Sequence, residues 1–120
     1  MPTSVLPPPP ETNQLLAVLP PAERERVYPH LEPISLTLGS VLYESGSRQE
    51  YVYFPTNSIV SLLYVMADGA SAEIAVVGNE GIVGVSLFMG GETTPSRAVV
   101  QSAGAAFRLA ARTRTRLTDS

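Results

Sequence analysis

The chain is 120 residues long, carries 11 acidic against 8 basic residues and is 44% hydrophobic, enough for one domain with a core of its own. It has no cysteine and no lysine, and His30 is its single histidine; disulfides, thiolate and Schiff-base nucleophiles, a phosphate-loop lysine and multi-histidine metal sites are thereby excluded. Through Ser96 ten acids face three arginines (−7), whereas from Arg97 onward five arginines face Asp119 alone (+4), and an acidic body is a poor match for duplex phosphates.

In chain order, residues 1–12 read as a proline-rich leader: Pro7-Pro8-Pro9-Pro10 favours a semi-rigid polyproline II segment. The N-terminus lacks the basic start and apolar stretch of a secretory signal, and no apolar run approaches a membrane span, so a cytoplasmic protein without membrane contact is expected. Asn13 is placed to cap a short helix with Leu15, Leu16 and Leu19 on its apolar side. Pro20-Pro21 closes that helix before a second over Ala22 to Tyr28. His30 lies between Pro29 and Pro33 in a connector and reads as a surface or capping residue.

From Leu31 the period becomes strand-like, with β-branched and aromatic residues bounded by glycine-containing turns. The predicted strands are Ile34–Leu38, Ser40–Tyr43, Tyr51–Phe54, Ile59–Met66, Ser71–Val77, Arg97–Ser102 and Ala106–Ala110. Asp68-Gly69 between two of these runs predicts a hairpin with a type I′ turn, positive φ at both central residues. Gly39, Gly46 and Gly104 punctuate the others. Many short antiparallel strands in one small domain give a mainly β fold, a sandwich or jelly-roll barrel with short flanking helices.

The segment Val76-Val77-Gly78-Asn79-Glu80-Gly81-Ile82-Val83-Gly84-Val85-Ser86-Leu87-Phe88-Met89-Gly90-Gly91, followed by Pro95-Ser96-Arg97-Ala98-Val99-Val100, joins two β-type runs through glycines spaced three apart. Glycine permits positive φ and close approach of a ligand to the backbone, and amides opening a short helix can receive phosphate. With Gly39-Ser40-Val41-Leu42-Tyr43-Glu44-Ser45-Gly46, Val52-Tyr53-Phe54-Pro55 and Ile59-Val60-Ser61-Leu62-Leu63 in the same order and spacing, residues 13–110 resemble the cyclic-nucleotide-binding sensor domain of the catabolite activator (Crp/Fnr) family of bacterial transcription regulators. The resemblance implies a small-molecule effector held at a phosphate cassette, for which Gly81, Gly84, Val85, Ser86, Ser96 and Arg97 are the candidate ligand-binding residues. It also implies a homodimer in a full-length regulator.

Two positions depart from that pattern. The family places a ribose-binding glutamate directly after the cassette's second glycine, where this chain has Val85. It then reads Arg, Ser or Thr, Ala, where this chain reads Ser96-Arg97-Ala98. Side chains alternate along a strand, so a one-residue offset turns Arg97 away from the phosphate unless a bulge restores it. Losing both contacts costs several kcal/mol, and about 1.4 kcal/mol is already tenfold in affinity; tight cyclic AMP binding is not expected, and no cofactor is assigned.

Strand alternation puts Glu73 on one face with Ser71, either as a barrel-interior ligand contact or facing water. Glu80 reads as a turn-shaping residue, and Tyr43, Tyr51, Tyr53 and Phe54 as the barrel's wall and rim rather than a base-stacking platform. No nucleophile–base pair, metal constellation or dinucleotide fingerprint is present, so the chain is not read as an enzyme. Residues 111–120, with Arg112, Arg114 and Arg116, form a basic tail without an apolar stripe at helical spacing. The dimerisation helix and helix-turn-helix of the family are therefore expected to be missing, and with them DNA binding by this chain alone. The expected function is that of a sensor domain for a small effector; the alternatives are a protein-interaction module and a nonfunctional regulator fragment.

Overall fold

Asn13 opens the first helix as its spacing predicts. In the computed structural model, which describes residues 8–48, 50–84 and 96–110, its Oδ1 accepts from the Leu15 and Leu16 amides at 3.0 and 3.2 Å. These are the orphan donors that an N-cap satisfies. Helix α1 (Gln14–Ala17) is a single turn; Leu16 is buried, whereas Leu15, expected on the apolar side, is 39% exposed. Helix α2 (Pro21–Val27) begins on a proline, which needs no amide partner in the first turn. Arg24 of α2 donates to the Ala17 and Leu19 carbonyls, and the Tyr28 hydroxyl donates to the Leu16 carbonyl, closing the helical pair on itself.

Among the described residues seven strands follow: β1 (Glu32–Leu36), β2 (Val41–Tyr43), β3 (Tyr51–Pro55), β4 (Ile59–Val65), β5 (Ser71–Val77), β6 (Ser96–Ser102) and β7 (Gly104–Ala110). They form two antiparallel sheets, a three-stranded one in the order β1-β7-β3 and a four-stranded one in the order β2-β6-β4-β5. The mainly β fold with short flanking helices is thus the one read from the sequence. Three details differ. Strand β1 starts two residues before the predicted Ile34 and takes in Pro33; it is an edge strand, where a missing amide costs no ladder bond. Gly104, expected to punctuate a turn, is the first residue of β7, and a Cβ there would meet the Asn57 carbonyl oxygen at 2.5 Å.

The third concerns the β4–β5 hairpin. Gly69 has φ +90°, but Asp68 does not have positive φ, so the turn is not type I′. Instead the Gly69 amide donates to the Met66 carbonyl and the Met66 amide to the Ala70 carbonyl, while Asp68 Oδ1 accepts from the Ala70 amide. A turn followed by one left-handed glycine is the next commonest hairpin solution, and it needs only one positive φ.

Among the described residues two clusters hold the fold. Leu36, Tyr53, Val60, Val77, Val83, Ala98, Val100 and Ala106 pack between the sheets, drawing on both. Behind the three-stranded sheet, Leu16 of α1 packs on Val52, Phe54, Phe107 and Leu109, with Leu19, Tyr28, Leu31 and Ile82 around them. Among the described residues no helix is long and apolar enough to cross a membrane.

Candidate functional site

The cassette begins where β5 ends. Glu80 shapes its first turn: Oε2 accepts from the Gly78 amide at 3.2 Å, and the Gly81 amide donates to the Gly78 carbonyl. Val83 is fully buried and forms a two-bond antiparallel bridge with Tyr53, amide to carbonyl in both directions at 2.9 Å. Gly84 then takes φ +99°, a conformation that strains any residue with a Cβ. Gly81 and Gly84 therefore flank a residue bolted to β3. Val85 and Ser86, the next two candidates, lie outside the described residues, as do residues 87–95 and the basic tail at 111–120.

The chain returns at β6, where the order of Ser96 and Arg97 decides which side chain enters the roll. Burial alternates cleanly: Ser96, Ala98 and Val100 are buried, and Ala98 and Val100 belong to the inter-sheet core. Ser96 shares their parity and faces inward. Arg97 faces outward, in register with Leu63 of β4, and its Nε lies 3.1 Å from Glu44 Oε1. That contact is an ion pair by distance but not an aligned hydrogen bond, because the Nε–H is buried without an acceptor in line. The bulge on the β2–β6 ladder falls between Val41 and Tyr43 of β2, and leaves the alternation of β6 intact.

Glu73 is not in the barrel interior. It is exposed on the outer face of the four-stranded sheet, and its Oε1 accepts from the Ser61 hydroxyl at 2.9 Å. Gln101 lies beside the same hydroxyl at 3.1 Å; Ser61 has one proton to give, and the carboxylate is the stronger acceptor. Alternation alone leaves the choice of face open for Glu73, because the β4–β5 register shifts between Leu62 and Leu63, pairing them with Ala75 and Glu73 and skipping Ile74.

A pocket of about 240 Å³ is lined by Leu42, Tyr43, Ser47, Arg48, Glu50, Tyr51 and Tyr53. Tyr53 joins this pocket to the cassette through the Val83 bridge. Behind it, Arg108 of β7 lies with its guanidinium 4.1 Å from the centre of the Tyr51 ring and its Nε 2.7 Å from Glu32 Oε1. Burial pushes the Tyr53 phenol up, the nearby Arg108 opposing it, and the hydrogen bond from Arg108 holds the Glu32 carboxyl below the usual carboxylate range. The tyrosines were legible as wall and rim. Nothing local in the sequence marks Arg48 or Arg108: Arg108 meets Glu32 across 76 residues of sequence. Among the described residues no group of three or more His, Cys, Asp or Glu is arranged to hold a metal ion.

The profile of the cyclic nucleotide-binding domain family matches residues 33–120. No curated protein sequence matches the chain. Among solved structures, the chain is similar to the sensor domain of the transcriptional regulator DNR from Pseudomonas aeruginosa, with a TM-score of 0.74 at 14% identity over 92% of this chain and 74% of that one. It is also similar to the N-terminal domain of a transcriptional regulator from Streptomyces coelicolor A3(2), with a TM-score of 0.69 at 24% identity over 84% and 71% of the two chains. A cyclic nucleotide-binding-like protein from Brucella abortus aligns with a TM-score of 0.68 at 20% identity over 88% and 90%. At these identities the likeness is one of fold, and the family profile carries the assignment: this chain belongs to the cyclic nucleotide-binding domain family.

Proposed function

We propose that this domain is the effector-binding sensor of a transcription regulator, without catalytic activity, and that its effector is a small molecule other than cyclic AMP. The observation that carries this reading is the parity of β6. An inward Ser96 stands where nucleotide-binding members of the family bring a guanidinium to the phosphate, while Arg97 points outward to Glu44. A hydroxyl cannot replace the charge-assisted bonds of a guanidinium to an anion. Val85, in the slot of the ribose-binding glutamate, has no polar atom to offer.

The pocket at Tyr43, Arg48, Tyr51 and Tyr53 supports retention of a ligand role. Its tyrosines offer apolar ring faces with a polar tip. Positive charge beside it comes from Arg48 and Arg108 rather than from β6. The net charge of −7 through Ser96 favours a sensing role over DNA reading for the barrel itself.

A thermal-shift screen with cyclic AMP, cyclic GMP and common anionic metabolites tests the reading, since a ligand that prefers the native state raises the melting temperature. The expected result is a shift with a non-cyclic metabolite that is lost in Tyr53→Ala or Arg48→Ala, with no shift from cyclic AMP at micromolar concentration. Cyclic AMP alone raising the melting temperature would overturn it.

A further inference from the structure

Asn13 is fully buried and uses all of its hydrogen-bonding capacity. Its Oδ1 accepts two amides of α1, and its Nδ2 donates to the Pro55 carbonyl at the end of β3 and to the Gly81 carbonyl in the cassette, both at 2.9 Å. The neighbouring residues repeat the link. The Gln14 amide donates to the Asn79 carbonyl at 2.7 Å, and Asn79 Nδ2 donates back to the Thr12 carbonyl at 3.1 Å. Residues 12–14 and 79–81 are thus joined by three hydrogen bonds across more than sixty residues of sequence.

We infer that Asn13 is a positioning residue for the cassette, tying the Gly81–Ile82 peptide to α1 so that the helix and the start of the cassette open and close as one unit. A trans peptide carries its carbonyl and amide on opposite sides. Holding the Gly81 carbonyl on Asn13 therefore fixes the direction of the Ile82 amide, one residue before the Tyr53–Val83 bridge. Capping alone does not call for asparagine: serine, threonine or aspartate supplies the oxygen equally well. The amide is needed only for the two carbonyls. In turn, α1 is one turn long, too short to hold itself without tertiary support. The use of this coupling in signalling rests on the cassette being the effector site; the coupling itself is measurable without a ligand.

Amide hydrogen exchange on the full chain tests it, comparing the parent with Asn13→Ser, Asn13→Asp and a core control, Val52→Ala. The serine keeps the cap but does not reach the carbonyls, and the aspartate keeps the shape but turns an acceptor toward them. Both Asn13 variants are expected to speed exchange at Gln14 and Val83 together by at least about tenfold, beyond any change at Met66 in the β4–β5 hairpin. Val52→Ala should instead speed all three amides through global opening. Parent-like exchange at Gln14 and Val83 in Asn13→Ser, or acceleration of the same size at Met66, would overturn the inference. Should Asn13→Asp fail to fold, the serine variant decides alone.

Discussion

Strands β3 and β5 have similar apolar content and opposite surroundings. In β3, Val52, Tyr53, Phe54 and Pro55 are all buried, because its inner face meets the inter-sheet core and its outer face is covered by α1. In β5 only Val77 is buried, and Ile74 and Val76 are 59% and 45% exposed at the edge of the four-stranded sheet. The stability of the domain is therefore concentrated on the side that carries the start of the cassette. The other sheet presents an outer face on which Arg97, Glu44, Ser61 and Glu73 make polar contacts instead of packing. A small helical segment, rather than strand composition, makes the difference.

That contrast is broken most severely at Phe54. Phe54→Ala removes a buried ring from beneath α1 and is expected to cost about 3–5 kcal/mol, read as the shift of the denaturant midpoint. A cost within the range of surface substitutions would mean that α1 and the three-stranded sheet do not form a common core.

An intermediate effect is expected at Glu32, which joins β1 to β7 from an exposed position. Its carboxyl is held below the ordinary range, first by the hydrogen bond from Arg108. The stabilisation is therefore present above the unfolded-state pKa of about 4.3 and is lost as pH falls through the lower folded value. Glu32→Gln should flatten the fall in melting temperature between about pH 5 and pH 3. An unchanged acid limb would show that the Arg108 contact is not held in solution.

The smallest effect is expected on β5, where Val76→Thr should change stability by no more than about 0.5 kcal/mol. A larger loss would show that the outer face of the four-stranded sheet is covered in solution, which oligomeric state by sedimentation would then identify.

What the sequence makes legible is the part governed by local chemistry. The helix cap at Asn13, the glycine turns at Gly39 and Gly46 and all seven described strands to within two residues at each end follow from capping, positive φ and period. The inward Ser96 follows as well, since two-residue alternation survives wherever no bulge intervenes. Other features depend on partners distant in the chain. Asn13 reaches Pro55 and Gly81 across 42 and 68 residues, and nothing beside Asn13 in the sequence distinguishes a cap from a clip. Pro33 argues locally against a strand that the sheet edge tolerates. The face of Glu73 is not legible because a register irregularity skips Ile74 and reverses the parity that alternation from the buried Val77 gives it.

The central claim is that the inward residue of β6 has lost the phosphate contact of the family while the fold is kept. Calorimetric titration of cyclic AMP into the parent chain and into the combined Val85→Glu, Ser96→Arg, Arg97→Ser variant tests it most directly. The expected result is no measurable micromolar binding by the parent and a gain of binding in the triple variant, worth about 1.4 kcal/mol for each factor of ten. Micromolar or tighter binding of cyclic AMP by the unmodified chain would contradict the account.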